Sequence, residues 1–210
     1  MHRRTMLSTL GFSLFGGCIG SFPQLTEEYT ATSVAEVRAD EVPESEDVAL
    51  GLELERNFSE SMPARLSIRF TNTSGRKRTF EFGGTPPFSS FHGTVVGGNA
   101  QMILVPDDYE YVGIVSYDGG AVETVVPSQP IGGCWKAKNR IIGNDILVDR
   151  ELNPGESIRM TYTVLAHHEN DSCLESGEYR FVSETYFSDG SQWGLTVTVE
   201  KSEDGTESPS

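Results

Sequence analysis

The sequence contains little lysine, little cysteine and no long apolar segment. Only four of its 16 basic residues are lysine, against 31 Asp and Glu, and the formal net charge is −15. A surface this negative repels phosphate backbones, so the composition argues against nucleic-acid binding. The apolar run near the N-terminus, about ten residues, would form a helix of roughly 15 Å, which is too short to cross a bilayer.

Turn residues are abundant. The chain has 22 Gly and 10 Pro in 210 residues, and 37% of the residues are hydrophobic. This composition favours many short strands over long helices, and the length suits one domain with a single core. The chain is therefore predicted to be an all-β protein.

The first seventeen residues have the parts of a secretory signal peptide. Arg3 and Arg4 provide a positive start, and the apolar residues 6–15 lead to Gly16-Gly17-Cys18. Residues 3–7 resemble a twin-arginine export motif, and residues 15–18 resemble a lipobox. The resemblance implies cleavage before Cys18 and lipidation of its thiol, which would attach the protein to the extracellular face of the cell membrane. The alternative is an ordinary cleaved signal peptide in which Cys18 is incidental.

Cysteine arithmetic supports the anchored interpretation. Three cysteines are an odd number for an oxidising compartment, and lipidation of Cys18 leaves Cys134 and Cys173 as a pair. We therefore predict a Cys134–Cys173 disulfide. The alternatives are a metal-binding pair or two free thiols, and the absence of Cys-x-x-Cys spacing disfavours a metal.

Period-two alternation defines the predicted domain. Residues 18–47 are polar and acidic and are predicted to be a lipid anchor and a disordered tether, and residues 201–210 a disordered tail. The domain between them spans residues 48–200. Its alternating segments are residues 48–55, 65–71, 78–82, 101–105, 111–116, 157–164, 178–187 and 193–199. About eight or nine strands without helical periodicity predict an immunoglobulin-like antiparallel β-sandwich.

Two stretches carry a family resemblance. Residues 66–74 and 80–82, then Asn153-Pro154-Gly155-Glu156 and Gly177-Glu178-Tyr179, resemble BsuPI-type proteinase-inhibitor domains. The resemblance implies an immunoglobulin-like sandwich and an extracellular protease inhibitor with an exposed loop in residues 83–95 or in the long middle insert, residues 93–143. Pro154-Gly155 is also the chemistry of a type II turn, and Tyr179 is placed for a tyrosine corner.

The acidity has two explanations. It is either a functional surface that recruits cations or basic partners, or an adaptation to high salt. The small number of lysines and the even spread of acid along the chain resemble haloarchaeal surface proteins. The even spread favours the halophilic explanation.

Few residues point to a particular chemistry. Asn57, Asn72 and Asn170 begin glycosylation sequons. His167-His168-Glu169, with Asp171, could suggest a metal site, but adjacent residues of an extended chain point to opposite faces. We therefore expect an exposed loop there, no metal site and no cofactor.

No serine lies in a Gly-x-Ser-x-Gly motif or in a recognisable order with His and Asp. The sequence therefore predicts a non-catalytic cell-surface lipoprotein, which presents its domain to an unknown extracellular protein or envelope polymer. A protease inhibitor is the alternative function.

Overall fold

The structure, a computed structural model, describes residues 29–108, 110–116, 122, 124–171, 173–187 and 192–201. Every paired strand in these ranges runs antiparallel to its neighbour, which confirms the all-β prediction. None of the helical residues in these ranges forms a helix that is long and apolar enough to span a membrane. The strands are β1 (Thr32–Ala39), β2 (Val48–Arg56), β3 (Arg65–Asn72), β4 (Arg78–Phe82), β5 (His92–Val95), β6 (Gln101–Pro106), β7 (Val112–Val115), β8 (Arg140–Gly143), β9 (Val148–Leu152), β10 (Ser157–Ala166), β11 (Gly177–Tyr186) and β12 (Gln192–Lys201).

Eight strands form one wrapped sheet in the order β1-β12-β11-β5-β6-β10-β3-β2. Its two edge strands, β1 and β2, come close together, so the sheet is almost a closed barrel. Asn57 bridges this seam, because its Oδ1 accepts from Val34 N at 2.8 Å and its Nδ2 donates to Val34 O at 2.9 Å. The side-chain amide thus takes the place of a ladder pair between the two edges.

Alternate residues from opposite halves of the sheet meet in one core. Leu66 and Ile68 of β3 are fully buried, as are Leu195 and Val197 of β12. Burial of each such side chain stabilises the fold by about 1.5–3 kcal/mol. The alternation predicted from the sequence therefore orients these strands correctly.

The middle of the chain forms a second layer outside the sheet. β7 pairs with β8, and Val125, Trp135 and Ile141 pack against Ile103 and Leu165 on the outer face of β6 and β10. Trp135 is a core residue, and its Nε1 donates to Ser59 O at 2.7 Å. This layer covers a sheet face that would otherwise expose apolar side chains.

The predicted Cys134–Cys173 disulfide is present, with the two Cα atoms 5.7 Å apart. It joins the outer layer to the loop between β10 and β11. Both cysteines are buried. The bridge therefore fixes the loop after β10 to the outer layer.

Two predicted turns are also confirmed. Gly155 has φ +76°, and Glu156 N donates to Asn153 O at 3.0 Å, as a type II turn requires. Tyr179 is fully buried, and its hydroxyl accepts from Glu175 N at 2.8 Å and donates to Glu175 O at 3.1 Å. This arrangement is the predicted tyrosine corner.

The structure corrects three fold predictions. The folded domain starts before Val48, because β1 pairs with β12, so the tether does not extend to residue 47. The described residues contain twelve strands instead of eight or nine, and β1, β5, β8 and β9 were missed. Six of the eight predicted strands lie in one wrapped sheet, whereas β4 pairs with β9 and β7 pairs with β8 in separate two-stranded sheets.

Candidate functional site

A cleft of about 860 Å³ opens at one end of the wrapped sheet. The start of β5, the start of β12 and the end of β8 meet there, and β4 with the loop after it forms one side. Its volume lies within the usual range for ligand sites. The aromatic residues that line it are Phe70, Phe80, Phe82, Phe91, Tyr111, Phe187 and Trp193.

The loop between β4 and β5 is held by the core. Phe88 is fully buried, with its ring centroid 4.9 Å from that of Trp193. The Phe88 carbonyl accepts hydrogen bonds from the Tyr162 hydroxyl and, at 2.9 Å, from Thr85 Oγ1. Within this loop the peptide bond between Pro86 and Pro87 is cis. The loop is therefore a fixed side of the cleft.

The β4 side of the cleft is an aromatic cluster. The Phe70 ring lies 4.9 Å from Phe80 and 5.0 Å from Phe82, both in edge-to-face geometry. Arg78 places its Cζ 4.7 Å from the Phe80 centroid and donates from Nη1 to the Glu46 carbonyl. The Phe80 ring therefore already stacks with a guanidinium, that of Arg78.

The charged lining of the cleft is mostly negative. Glu46, Glu81 and Asp145 face a single arginine, Arg78, and both Glu81 and Asp145 are exposed. Desolvation lowers the pKa of His92, although a hydrogen bond to the Ile141 carbonyl opposes this shift. The rim is therefore suited to a neutral or cationic ligand.

The Ser89 hydroxyl and the His92 imidazole, which both line the cleft, contact different partners. Ser89 Oγ accepts from Thr85 N at 3.1 Å, whereas His92 Nε2 lies 3.4 Å from Ile141 O. Neither contact joins the hydroxyl to the imidazole, which is the arrangement that would activate a nucleophile.

All three sequon asparagines use their amides to hold the backbone. Asn57 bridges the seam between β1 and β2. Asn170 Oδ1 accepts from Gln101 N at 2.9 Å, and Asn170 Nδ2 donates to Gln101 O at 2.8 Å. Asn72 has no exposed surface. A sugar cannot reach this amide in the folded domain, whereas glycosylation of Asn57 and Asn170 stays a prediction.

The structure overturns the argument against a histidine cluster. His167 and His168 follow β10 in a turn, where strand alternation no longer applies, and their ring centroids are 4.3 Å apart. His92 begins β5, and its ring lies 5.8 Å from that of His167. One potential ligand atom from each of His167, His168 and Glu169 lies within 4.8 Å of the others. Asp171 does not belong to this group.

The environment of this cluster lowers the pKa of its histidines. Desolvation, with the neighbouring His168 and His92, lowers the pKa of His167 to about 4. Desolvation also lowers the pKa of His168, while Glu169 acts in the opposite direction.

The predicted export motif and lipidation site, Arg3, Arg4 and Cys18, lie outside the residues that the structure describes.

The aromatic cleft itself was not predicted, although four of the eleven phenylalanines fall within residues 80–91. That local enrichment of phenylalanine was the available signal for the cleft.

Comparison of the chain with protein-family models, curated proteins and solved structures finds no match.

Proposed function

We propose that this protein is a non-catalytic binding module of the cell surface, and that its cleft takes a basic segment of a partner protein. The observation that carries the proposal is the combination of exposed carboxylates and aromatic faces in one preformed cleft. Aromatic faces attract ammonium and guanidinium groups, and a neighbouring carboxylate adds a direct ion pair.

The internal Arg78 contact supports this choice of ligand. A guanidinium already lies on Phe80, so the local environment accepts a stacked cation. Tyr111 and Phe187 are partly exposed and provide further ring surface. An acidic peptide or a phosphate would instead meet Glu81 and Asp145 and be repelled.

Binding of basic peptides tests the proposal. We expect short peptides with Arg and Tyr to bind saturably, and peptides of equal length with Glu in place of Arg not to bind. The Glu81→Gln/Asp145→Asn double variant should weaken binding about 5- to 30-fold, because two partly exposed ion pairs contribute about 1–2 kcal/mol. Affinity should also fall as NaCl is raised. Fluorescence titration is the measurement, since Trp193 lines the cleft and Trp135 does not.

Glu178→Gln/Glu200→Gln is the matched control. It removes the same charge at two exposed positions outside the cleft lining. Equal weakening by both double variants would show that only net charge matters and would contradict a specific cleft site. Absence of binding by every basic peptide would end the proposal.

We propose further that the module is attached through Cys18. Tyr29 already packs against the outer layer and Thr30 N donates to Gly133 O, so ten residues, 19–28, separate Cys18 from the domain. Ten extended residues span at most about 33–36 Å, which would keep the domain close to the membrane.

Intact mass of the membrane-extracted protein tests the anchor. We expect residues 18–210 plus lipid, with a gain of two hydrogens on reduction, because the disulfide opens. A Cys18→Ser variant should appear in the soluble fraction. An unmodified full-length mass in the native cells would contradict both the export and the anchor.

Protease inhibition remains the second candidate, and the immunoglobulin-like assignment remains part of this proposal. The two halves of the wrapped sheet share one core, as the sheets of a sandwich do. However, Thr85, Phe88 and Phe91 are buried, so the loop after β4 is not an extended exposed loop. An inhibitory loop would therefore have to lie in the middle insert. Stoichiometric inhibition in a protease panel would favour this function over the peptide-binding cleft.

A further inference from the structure

The turn that follows β10 carries three side chains with metal-ligand chemistry. His167, His168 and Glu169 are consecutive, and one ligand atom from each lies within 4.8 Å of the others. His168 Nε2 and Glu169 Oε1 are 3.3 Å apart. Tetrahedral zinc with bonds of about 2.0–2.1 Å separates its ligand atoms by about 3.3 Å. Two of the three groups therefore already have the spacing of a tetrahedral site.

The backbone of this turn is fixed on three sides. His167 N donates to Gln101 O at 3.0 Å, and Asn170 binds both polar atoms of the same Gln101 backbone. Lys136 Nζ donates to Asn170 O at 2.8 Å. The disulfide at Cys173 holds the continuation of the chain. A preorganised turn reduces the entropy lost when a metal is bound.

We propose that His167, His168 and Glu169 form a binding site for a divalent transition-metal ion of the zinc class. Two imidazole nitrogens and one carboxylate oxygen suit Zn²⁺ and its neighbours, whereas Ca²⁺ and Mg²⁺ require oxygen ligands. Three protein ligands leave at least one position for water or for another donor. The nearest further imidazole is that of His92.

Metal binding requires three local changes, and one of them is loss of the direct His168 Nε2–Glu169 Oε1 contact at 3.3 Å. Glu169 N donates to His167 Nδ1 at 3.2 Å, and coordination through either ring nitrogen replaces this hydrogen bond. Arg140 Nη2 lies 3.7 Å from Glu169 Oε1. Both of these side chains are more than half exposed, so the guanidinium can turn into solvent and leave the carboxylate to the metal.

Zinc binding by the full chain tests the proposal. The protein is prepared without a polyhistidine tag, stripped with EDTA and dialysed against ZnCl₂, and bound metal is measured by mass spectrometry. We expect one zinc per chain, displacement of the His167 and His168 imidazole resonances in NMR, and no binding of Mg²⁺. His168→Gln and Glu169→Gln should each weaken zinc binding by at least about tenfold.

Asp171→Asn is the matched control, because it removes an exposed carboxylate from the same loop but outside the group. We expect unchanged zinc affinity. Glu169 is mostly exposed, so its variant tests the site even if His168→Gln does not fold. Zinc content equal to the buffer blank, or affinity that neither variant weakens, would overturn the proposal. Glu81→Gln/Asp145→Asn should bind zinc normally, which separates this result from the peptide-binding cleft.

Discussion

Replacement of Asn72 by alanine is expected to destabilise the folded domain by about 2–4 kcal/mol. The Asn72 Nδ2 donates to the carbonyls of Arg76 at 2.9 Å, Leu152 at 2.9 Å and Asn153 at 3.2 Å. Its Oδ1 accepts from Ser74 N at 3.0 Å. Alanine would leave several of these groups without a partner in a buried site. Urea unfolding followed by circular dichroism is the measurement.

Two further variants make the Asn72 prediction specific. Asn72→Asp keeps the shape but directs an oxygen at three carbonyls, so we expect a loss of stability at least as large as that of alanine. Thr73→Ala, in the same turn but exposed, should change stability by less than about 0.5 kcal/mol. Equal effects of Asn72→Ala and Thr73→Ala would show that the buried amide does not hold these turns together.

Removal of the disulfide should have an effect of similar size. The bridge joins residues separated by 39 positions. The chain-entropy treatment assigns about 4 kcal/mol to a loop of this length, because the cross-link restricts the unfolded chain. We expect the Cys134→Ser/Cys173→Ser variant to lose this amount in urea unfolding. The wild-type protein unfolded in the presence of reductant should match it.

The comparison of variant and reduced protein serves as the control. Cys134 and Cys173 are both buried, so the serine hydroxyls add a small packing and desolvation cost that the reduced thiols do not have. Agreement within about 1 kcal/mol would assign the effect to the lost cross-link. A loss below about 1 kcal/mol in both experiments would contradict the entropic estimate.

The long strands that were predicted from the sequence share one property. β2, β3, β10 and β12 each alternate over seven or more residues, so one face is marked as apolar by the chain itself. The turn at Gly155 and the corner at Tyr179 were predictable for the same reason, because their chemistry is local. Because Cys18 is the predicted lipidation site, two cysteines remain, and this pair predicted the bridge.

The missed strands lack such a local signal. β1 contains a register shift between Val34 and Glu36, which breaks its alternation, and its partner β12 lies far along the chain. In β5, Gly93 provides the inward position, and an added Cβ would lie 2.5 Å from the Phe181 ring. A glycine gives no apolar pattern, although the close approach of that ring requires it. β8 and β9 are short and mostly exposed.

The sequence by itself determined the all-β class, the orientation of the long strands and the type II turn, because each depends on residue type and near neighbours. It also predicted the disulfide, because only two cysteines remain once Cys18 is set aside. Only the tertiary structure decided that the strands form one wrapped sheet, that aromatic residues from several distant segments line one cleft, and that His92 lies beside His167. These features depend on pairing between segments far apart in the chain. Such pairing is selected by the packing of the whole domain, and residue order alone does not reveal it.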